Sequence, residues 1–261
     1  MRNAWAVYIR ELKSYFVSPI FYIVAAVFVF ANGTNFKDTF FNFALQTMRF
    51  LRNYINYGQA PPMANVNDVA GSIFTFMNFI SLLIIPLLTM RLYAEEKKNG
   101  TMELLMTSPI TTPQILMGKF LSCLTIFSLL ILTTVSFQVI LYYYSEGKID
   151  TMSVLTGYLG TFLLGGTLIS IGMFFSSMTE NQIVAAATTV TVVLGLWLVI
   201  FTSTFLNQPY NHIVRYMSLI DHLDSFARGY LGVRHIVYYL SMMVFWLFLT
   251  GISVESDRWR Q

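Results

Sequence analysis

Six stretches of this chain are each long and apolar enough to cross a bilayer, and that leaves few folds open to it. A bilayer core about 30 Å thick takes about 20 mostly apolar residues per helix. Inside that core every backbone N–H and C=O must find a partner, which only helices and closed barrels achieve. The stretches are 15–35, 70–92, 115–143, 153–178, 183–206 and 235–254, and the last four carry few or no formal charges in their interiors. The expectation is an all-α membrane protein of one domain over residues 1–261. Composition agrees: 11% of the residues are charged, against about 25% in soluble domains, so the surface cannot be solvated throughout. Pro19 and Pro86 fall inside the first two stretches, where neighbouring helices can re-satisfy the freed carbonyls. The third run opens on Thr112-Pro113, an N-cap followed by proline, and continues to Tyr144. A helix of that length reaches about 45 Å, so its first turns project from the membrane.

Residues 2–16 precede the first span, with Trp5, Tyr8, Ile9, Leu12 and Phe16 on one helical face and Arg10, Glu11 and Ser14 opposite. That pattern predicts an amphipathic helix in the interface, over about 1–14. A cleaved signal peptide is the weaker reading, because the apolar region is too long and no small-residue cleavage site follows. With both termini inside, nine basic residues face the cytosol (Arg2, Arg10, Lys13, Arg91, Lys97, Lys98, Lys119, Arg258, Arg260) and seven face outward. The outward segments 36–69 and 207–234 are long and weigh less in that comparison, and their aromatics suit short helices lying against the membrane.

Between the second and third runs lies the most charged stretch, from Arg91 through Glu95, Glu96, Lys97 and Lys98 to Asn99, Gly100, Thr101 and Glu103. A short helix over about 94–107 would carry Glu96, Asn99, Gly100 and Glu103 along one edge and Met102, Leu105 and Met106 along another. Read alone, this is a solvated loop obeying the positive-inside rule or a docking surface for a soluble partner. Arg91, Glu95, Glu96, Lys97, Gly100, Thr101, Met102, Glu103, Leu104, Leu105, Pro109, Gly118 and Lys119, in that order, resemble the cytoplasmic coupling region of ABC type-2 exporter permeases.

The resemblance extends over nearly the whole chain. Gly157-Tyr158-Leu159-Gly160, Ser170 to Ser177, Asn181 to Ala186, His222 to Gly229 and the end from Phe248 to Arg260 are similar to the gliding-motility-type branch. It implies six spans, an interfacial N-terminal helix and a cytoplasmic coupling helix within 93–112, in a bacterial inner membrane with both termini cytoplasmic. It implies a second permease subunit, identical or not, and a separate cytosolic ATPase carrying ATP and magnesium. Glu95, Glu96, Gly100, Thr101, Glu103, Leu104, Leu105, Pro109, Gly118 and Lys119 would couple to that ATPase. By the same analogy the second and fifth spans border the route between subunits, so Asn78, Ser81, Thr188, Thr189 and Thr191 are expected to line it. Alternatives within the fold are a mechanical device acting on envelope proteins and a metal- or sulfur-handling permease of the nitrous-oxide-reductase maturation type. A secondary transporter would want ionisable groups at mid-membrane, which the spans largely lack.

Other chemistry is thin. Gly118-Lys119 is followed by Phe120 and not by Ser or Thr, and no other Gly-Lys-Ser/Thr occurs, so no phosphate-binding P-loop is present. Catalysis and cofactors within the chain are therefore not expected. His212, His222 and His235 lie near Asp221 and Asp224, but their spacings match no metal motif; ion pairs with Arg228 and Arg234 are the expectation. Cys123 stands alone in an apolar run, a packing residue. The net charge is only +3, and no nucleic-acid partner is expected. The glycines of the fourth span, Gly157, Gly160, Gly165, Gly166 and Gly172, predict close helix packing.

Overall fold

The structure, a computed structural model, describes residues 2–58, 65–102, 110–145, 149–202, 210–227 and 229–259. Among these it has ten helices and no strand: α1 (Arg2–Val17), α2 (Pro19–Tyr57), α3 (Val66–Thr89), α4 (Arg91–Lys98), α5 (Thr112–Tyr144), α6 (Thr151–Met178), α7 (Gln182–Thr202), α8 (Tyr210–Met217), α9 (Leu219–Ala227) and α10 (Val233–Trp259). Six helical stretches are long and apolar enough to cross a membrane: Pro19–Asn56, Val66–Lys98, Thr112–Tyr144, Thr151–Met178, Gln182–Thr202 and Val233–Ser256. The chain is an all-α, multi-pass membrane protein.

Helix α6 is the hub, with α3, α4, α5, α7, α9 and α10 all packed on it. Its glycines make room for this. A methyl group at Gly165 would stand 2.0 Å from the Phe127 ring, and one at Gly157 would stand 2.6 Å from the Phe74 ring. Gly160 meets Phe226 of α9, and Gly172 meets Thr89 at the end of α3. Rings and chain ends thus pack into the helix surface where a side chain would hold them off. By contrast α2, α7 and α10 keep broad apolar faces open, including Ile23, Phe30, Ile183, Val244 and Phe248, as lipid contact or subunit packing requires.

Several boundaries differ from those the sequence suggests. The first span does not stop at 35, because α2 runs unbroken for 39 residues to Tyr57, about 58 Å. It ends where Gly58 takes φ +64° and returns its N–H to the Tyr54 carbonyl, a left-handed cap that suits glycine. Nothing between 36 and 57 breaks the helix, so the short-helix expectation fails for that segment. Pro19 lies in the first turn of α2 after the N-cap Ser18, so it starts this helix and does not kink one. Thr111, not Thr112, caps α5, through a reciprocal box with Gln114. The 207–234 segment does form short helices, but α9 is more than a surface element. It buries Leu219, His222 and Phe226 against the bundle, and Thr156 of α6 donates to the Phe226 carbonyl at 2.8 Å.

Candidate functional site

At the end of the bundle where α1, α4 and α5 converge, four charges close into a ring. Lys119, about two turns into α5, is 1% exposed. Its ammonium lies 3.1 Å from Glu11 Oε1 and 3.0 Å from Glu96 Oε2, and donates to the Leu92 carbonyl at 2.6 Å. The contacts to Glu11 and Leu92 are hydrogen bonds and that to Glu96 is an ion pair. Arg10 bridges the same two carboxylates from the outer side, 2.6 Å from Glu11 Oε1 and 2.7 Å from Glu96 Oε1. Two cations and two anions alternate, so the ring is neutral, and it joins residues 108 positions apart in the chain. Burial alone would discourage ionisation of Glu11. The neighbouring Lys119 and Arg10 outweigh it and hold the carboxyl below its ordinary value.

The backbone geometry that delivers these side chains is specific. Gly118 sets the distance between α1 and α5: a Cβ there would lie 2.9 Å from the Ala4 carbonyl oxygen and from Val7 Cβ. Close approach turns the Ala4–Val7–Glu11–Tyr15 side of α1 toward α5, where Val7 and Tyr15 are buried. Glu11, on the polar side opposite the apolar stripe, points into the protein, and Trp5 and Phe16 of that stripe stay exposed, as an interfacial helix set against lipid requires. The inward carboxylate is paired across a helix contact.

Where α3 gives way to α4, Met90 makes no side-chain cap. The cap comes from another helix. Ser176 of α6 accepts from the N–H groups of Tyr93 and Ala94 at 3.1 and 3.2 Å and donates to the Met90 carbonyl at 2.9 Å. Tyr93, an amide of the first turn, thereby gains a partner from the hub. Arg91 stacks its guanidinium 4.1 Å above the Tyr15 ring, and Tyr15 donates to the Leu88 carbonyl at 2.9 Å.

Placed on this geometry, the coupling residues read from sequence separate into groups. Glu96 and Lys119 face each other in the ring and turn away from solvent, and Gly118 is packed under α1. Glu95, Gly100 and Thr101 are exposed, and Thr101 donates to the Glu96 carbonyl at 3.3 Å. The single helix expected over 94–107 is broken, because α4 ends at Lys98 and Gly100 adopts φ +67°. Glu96 therefore leaves the edge it was expected to share with Asn99 and Gly100. Glu103, Leu104, Leu105 and Pro109 lie outside the described residues. Arg10, Glu11, Arg91 and Ser176 were not singled out as partners of this loop. The one signal available was a carboxylate, Glu11, on an otherwise amphipathic N-terminal helix.

The route residues also divide. Ser81 and Thr189 are buried within the subunit and donate back to Met77 and Ala185 carbonyls. Thr188 and Thr191 are exposed on α7. Asn78 lines a cleft of about 660 Å3 between α3, α7 and α9. The ring and this cleft lie toward opposite ends of the bundle. Ser176 and Thr156, which touch α4 and α9, are twenty residues apart on α6, about 30 Å. Beside the cleft, His222 and His235 share a 2.7 Å Nδ1···Nδ1 contact, and His222 Nε2 lies 3.0 Å from the Tyr216 carbonyl oxygen. Burial lowers the His222 pKa below its ordinary value. Arg234 sits over the Tyr216 ring at 4.8 Å; the expected partner Arg228 lies outside the described residues. No cluster of three or more metal-ligating side chains occurs among the described residues.

A ring of charges, closed on its inner side by the buried Lys119, ties the N-terminal helix to the charged loop between the second and third spans. The profile of the ABC-2 family transporter proteins matches residues 5–252. The chain belongs to the ABC-2 transporter family. It is thus a permease subunit of an ABC transporter, and ABC-2 membrane domains are ordinarily non-catalytic. A search among curated proteins found no match.

Proposed function

We infer that this ABC-2 subunit is the permease of an ATP-driven exporter, worked by a separate cassette ATPase that docks on α4 and the segment following it. The observation that carries this reading is the charge ring of Arg10, Glu11, Glu96 and Lys119. A partner that moves α4 needs its displacement delivered to whole helices and not absorbed by a soft loop. The ring and the Ser176 cap make α1, α4, the first turns of α5 and the end of α6 one unit. The exposed Glu95, Asn99, Gly100 and Thr101 are then left for the partner. Helix α3 runs from the cleft to α4, so motion at the ring reaches Asn78 along one helix interrupted only at Met90.

In this arrangement both termini and the α4 loop face the cytosol of a bacterium, and the protein sits in the inner membrane beside a second permease subunit. The gliding-motility-type branch rests on the resemblance of segments such as Ser170 to Ser177 and His222 to Gly229. The test is co-purification. Wild-type chain should bring down a cassette subunit, and the pure chain alone should turn over no ATP. Glu103→Arg, placing a positive charge where the family motif has a carboxylate, should abolish cassette binding while membrane abundance is kept. Retention of cassette binding by Glu103→Arg and by Glu95→Arg together would remove the coupling assignment.

A further inference from the structure

We propose that the part of α2 far from the charge ring, from Lys37 to Ile55, pairs with the same segment of a second copy of this chain as a parallel coiled coil. Helix α2 outruns its neighbours. Phe36, Phe40 and Phe43 pack on a cluster of Val69, Ala70 and Ile73 of α3 with Leu141 of α5. The Phe40 ring meets that of Tyr144, the last residue of α5, at 5.6 Å. From Phe40 the helix continues to Tyr57, about 26 Å past that end. Lipid tails do not reach this stretch. Between the buried Lys119 and Tyr144, α5 already measures about 38 Å, more than a bilayer core of about 30 Å.

The side chains on the projecting part define what covers it. Phe41, Met48, Leu51 and Ile55 are each more than half exposed. With Ala44 they recur at 41, 44, 48, 51 and 55, the alternation of three and four that makes a coiled-coil seam. At about 100° per residue they share an arc of about 80°. The faces to either side differ from it. Asn42, Gln46, Arg49 and Asn56 are polar and exposed, whereas Phe40 and Phe43 turn to the cluster on α3. An apolar stripe that stands in water, bordered by polar residues, suits a helix of the same pattern.

A second copy supplies that helix in the right direction. Both copies insert the same way, so a two-fold axis along the membrane normal sets the two α2 helices parallel, each seam residue opposite itself. Carried back one step, the spacing puts Lys37 on the seam, where alone it would face its own copy. Lys37 and Asp38 are both exposed, and in a parallel pair the residue after this kind of seam position borders the facing knob. Lys37 of each copy then lies beside Asp38 of the other. Two reciprocal ion pairs offset the lysine–lysine repulsion and fix the register. Short seams pair weakly in free solution, but copies held in one membrane in one direction meet as if linked. Nearer the ring the spacing continues through Phe30, Val27, Ile23 and Ile20. Lipid can cover the stripe there, so the pairing is assigned only from Lys37 onward. The proposal makes the second subunit of the permease reading an identical copy, and rests on that part of it alone.

The experiment uses the full chain in its native membrane, on a Cys123→Ala background, with single cysteines along α2 and mild oxidation by copper phenanthroline. A disulfide needs Cα atoms within about 7 Å, which facing seam positions offer and outward ones do not. Met48→Cys, Leu51→Cys and Ile55→Cys should each give a product of twice the chain mass, and Gln46→Cys and Arg49→Cys should stay single. Lys37→Asp should cut the Leu51→Cys product several-fold, and Lys37→Asp with Asp38→Lys should restore it. Equal yields at Gln46→Cys and Leu51→Cys, or no product at the three seam positions, would overturn the proposal. A Lys37→Asp loss that the exchange fails to restore would overturn the register and the parallel pairing with it. A Leu51→Cys product found by mass spectrometry to contain a different polypeptide would give the seam to another protein and overturn it likewise. None of these positions lies on α4, so cassette co-purification reports on the coupling assignment and the cross-link on this one, and either can fail alone.

Discussion

Replacing Lys119 by methionine keeps the length and apolar stem of the side chain and removes only the ammonium. The ring then loses two attractions, at 3.1 Å to Glu11 and 3.0 Å to Glu96. At an effective dielectric of about 20 each is about 5 kcal/mol, but desolvation of the ammonium offsets most of that in the wild type. What remains after substitution is the cost of carboxylates left short of a partner, ~3–5 kcal/mol for a buried pair. The Leu92 carbonyl, which accepts at 2.6 Å, adds about 1 kcal/mol. Arg10 still holds both carboxylates from its half-exposed side, which brings the expected total to about 3 kcal/mol. The measurement is reversible unfolding of the purified chain in mixed micelles, as a cycle with Glu11→Gln and Glu96→Gln. Neutralising both carboxylates in the Lys119→Met background should recover most of the loss, because the orphaned charges are then gone. A Lys119→Met variant within about 0.5 kcal/mol of wild type refutes the reasoning. A loss that persists in the triple variant does too, because it would show that packing and not charge holds the three helices.

The ring also sets a pH dependence. Glu11 is held below its ordinary value of 4.5, so its contribution is present above that value and fades as pH falls through the lower folded value; wild type and Glu11→Gln should differ in stability at neutral pH and converge as the pH is lowered below that ordinary value. Gly118→Leu should push α1 off α5, exposing Tyr15 to cysteine-scanning reagents when position 15 is substituted, whereas Gly71→Leu, where a side chain would meet no atom within 4 Å of its Cβ, should not. Ser176→Ala removes the hydroxyl that bonds the Tyr93 and Ala94 amides and the Met90 carbonyl, a loss of roughly 1–3 kcal/mol that Ser176→Thr should largely restore. For topology, single cysteines at Asn99, Tyr54 and Gln208 on a Cys123→Ala background should show Tyr54 and Gln208 labelled by an impermeant reagent in intact cells and Asn99 protected.

How much of this was written in the chain differs from element to element. Hydropathy alone identified six crossing helices, since burial in lipid constrains each stretch independently of its neighbours. The glycines of 157–172 likewise announced a crowded helix, and the structure puts Phe74, Phe127 and Phe226 against them. The run from Arg91 to Lys119 held two members of the charge ring, Glu96 and Lys119, without showing that they meet. Glu96 and Lys119 look like parts of one exposed motif, yet they pair with each other, Lys119 reaches Glu11 across 108 positions, and both turn inward. Amphipathic periodicity could not anticipate this, because it scores a charge as outward-facing and knows nothing of a partner on another helix. The same blindness hid Ser176 as the cap of α4, and hid the cleft that joins Asn78 to Trp197 and Asp221. Local sequence determined which segments are helical and apolar, each a property of a few adjacent residues. Only tertiary packing decided which polar groups meet, because a buried charge or an orphan amide is tolerable solely where another part of the chain arrives to satisfy it.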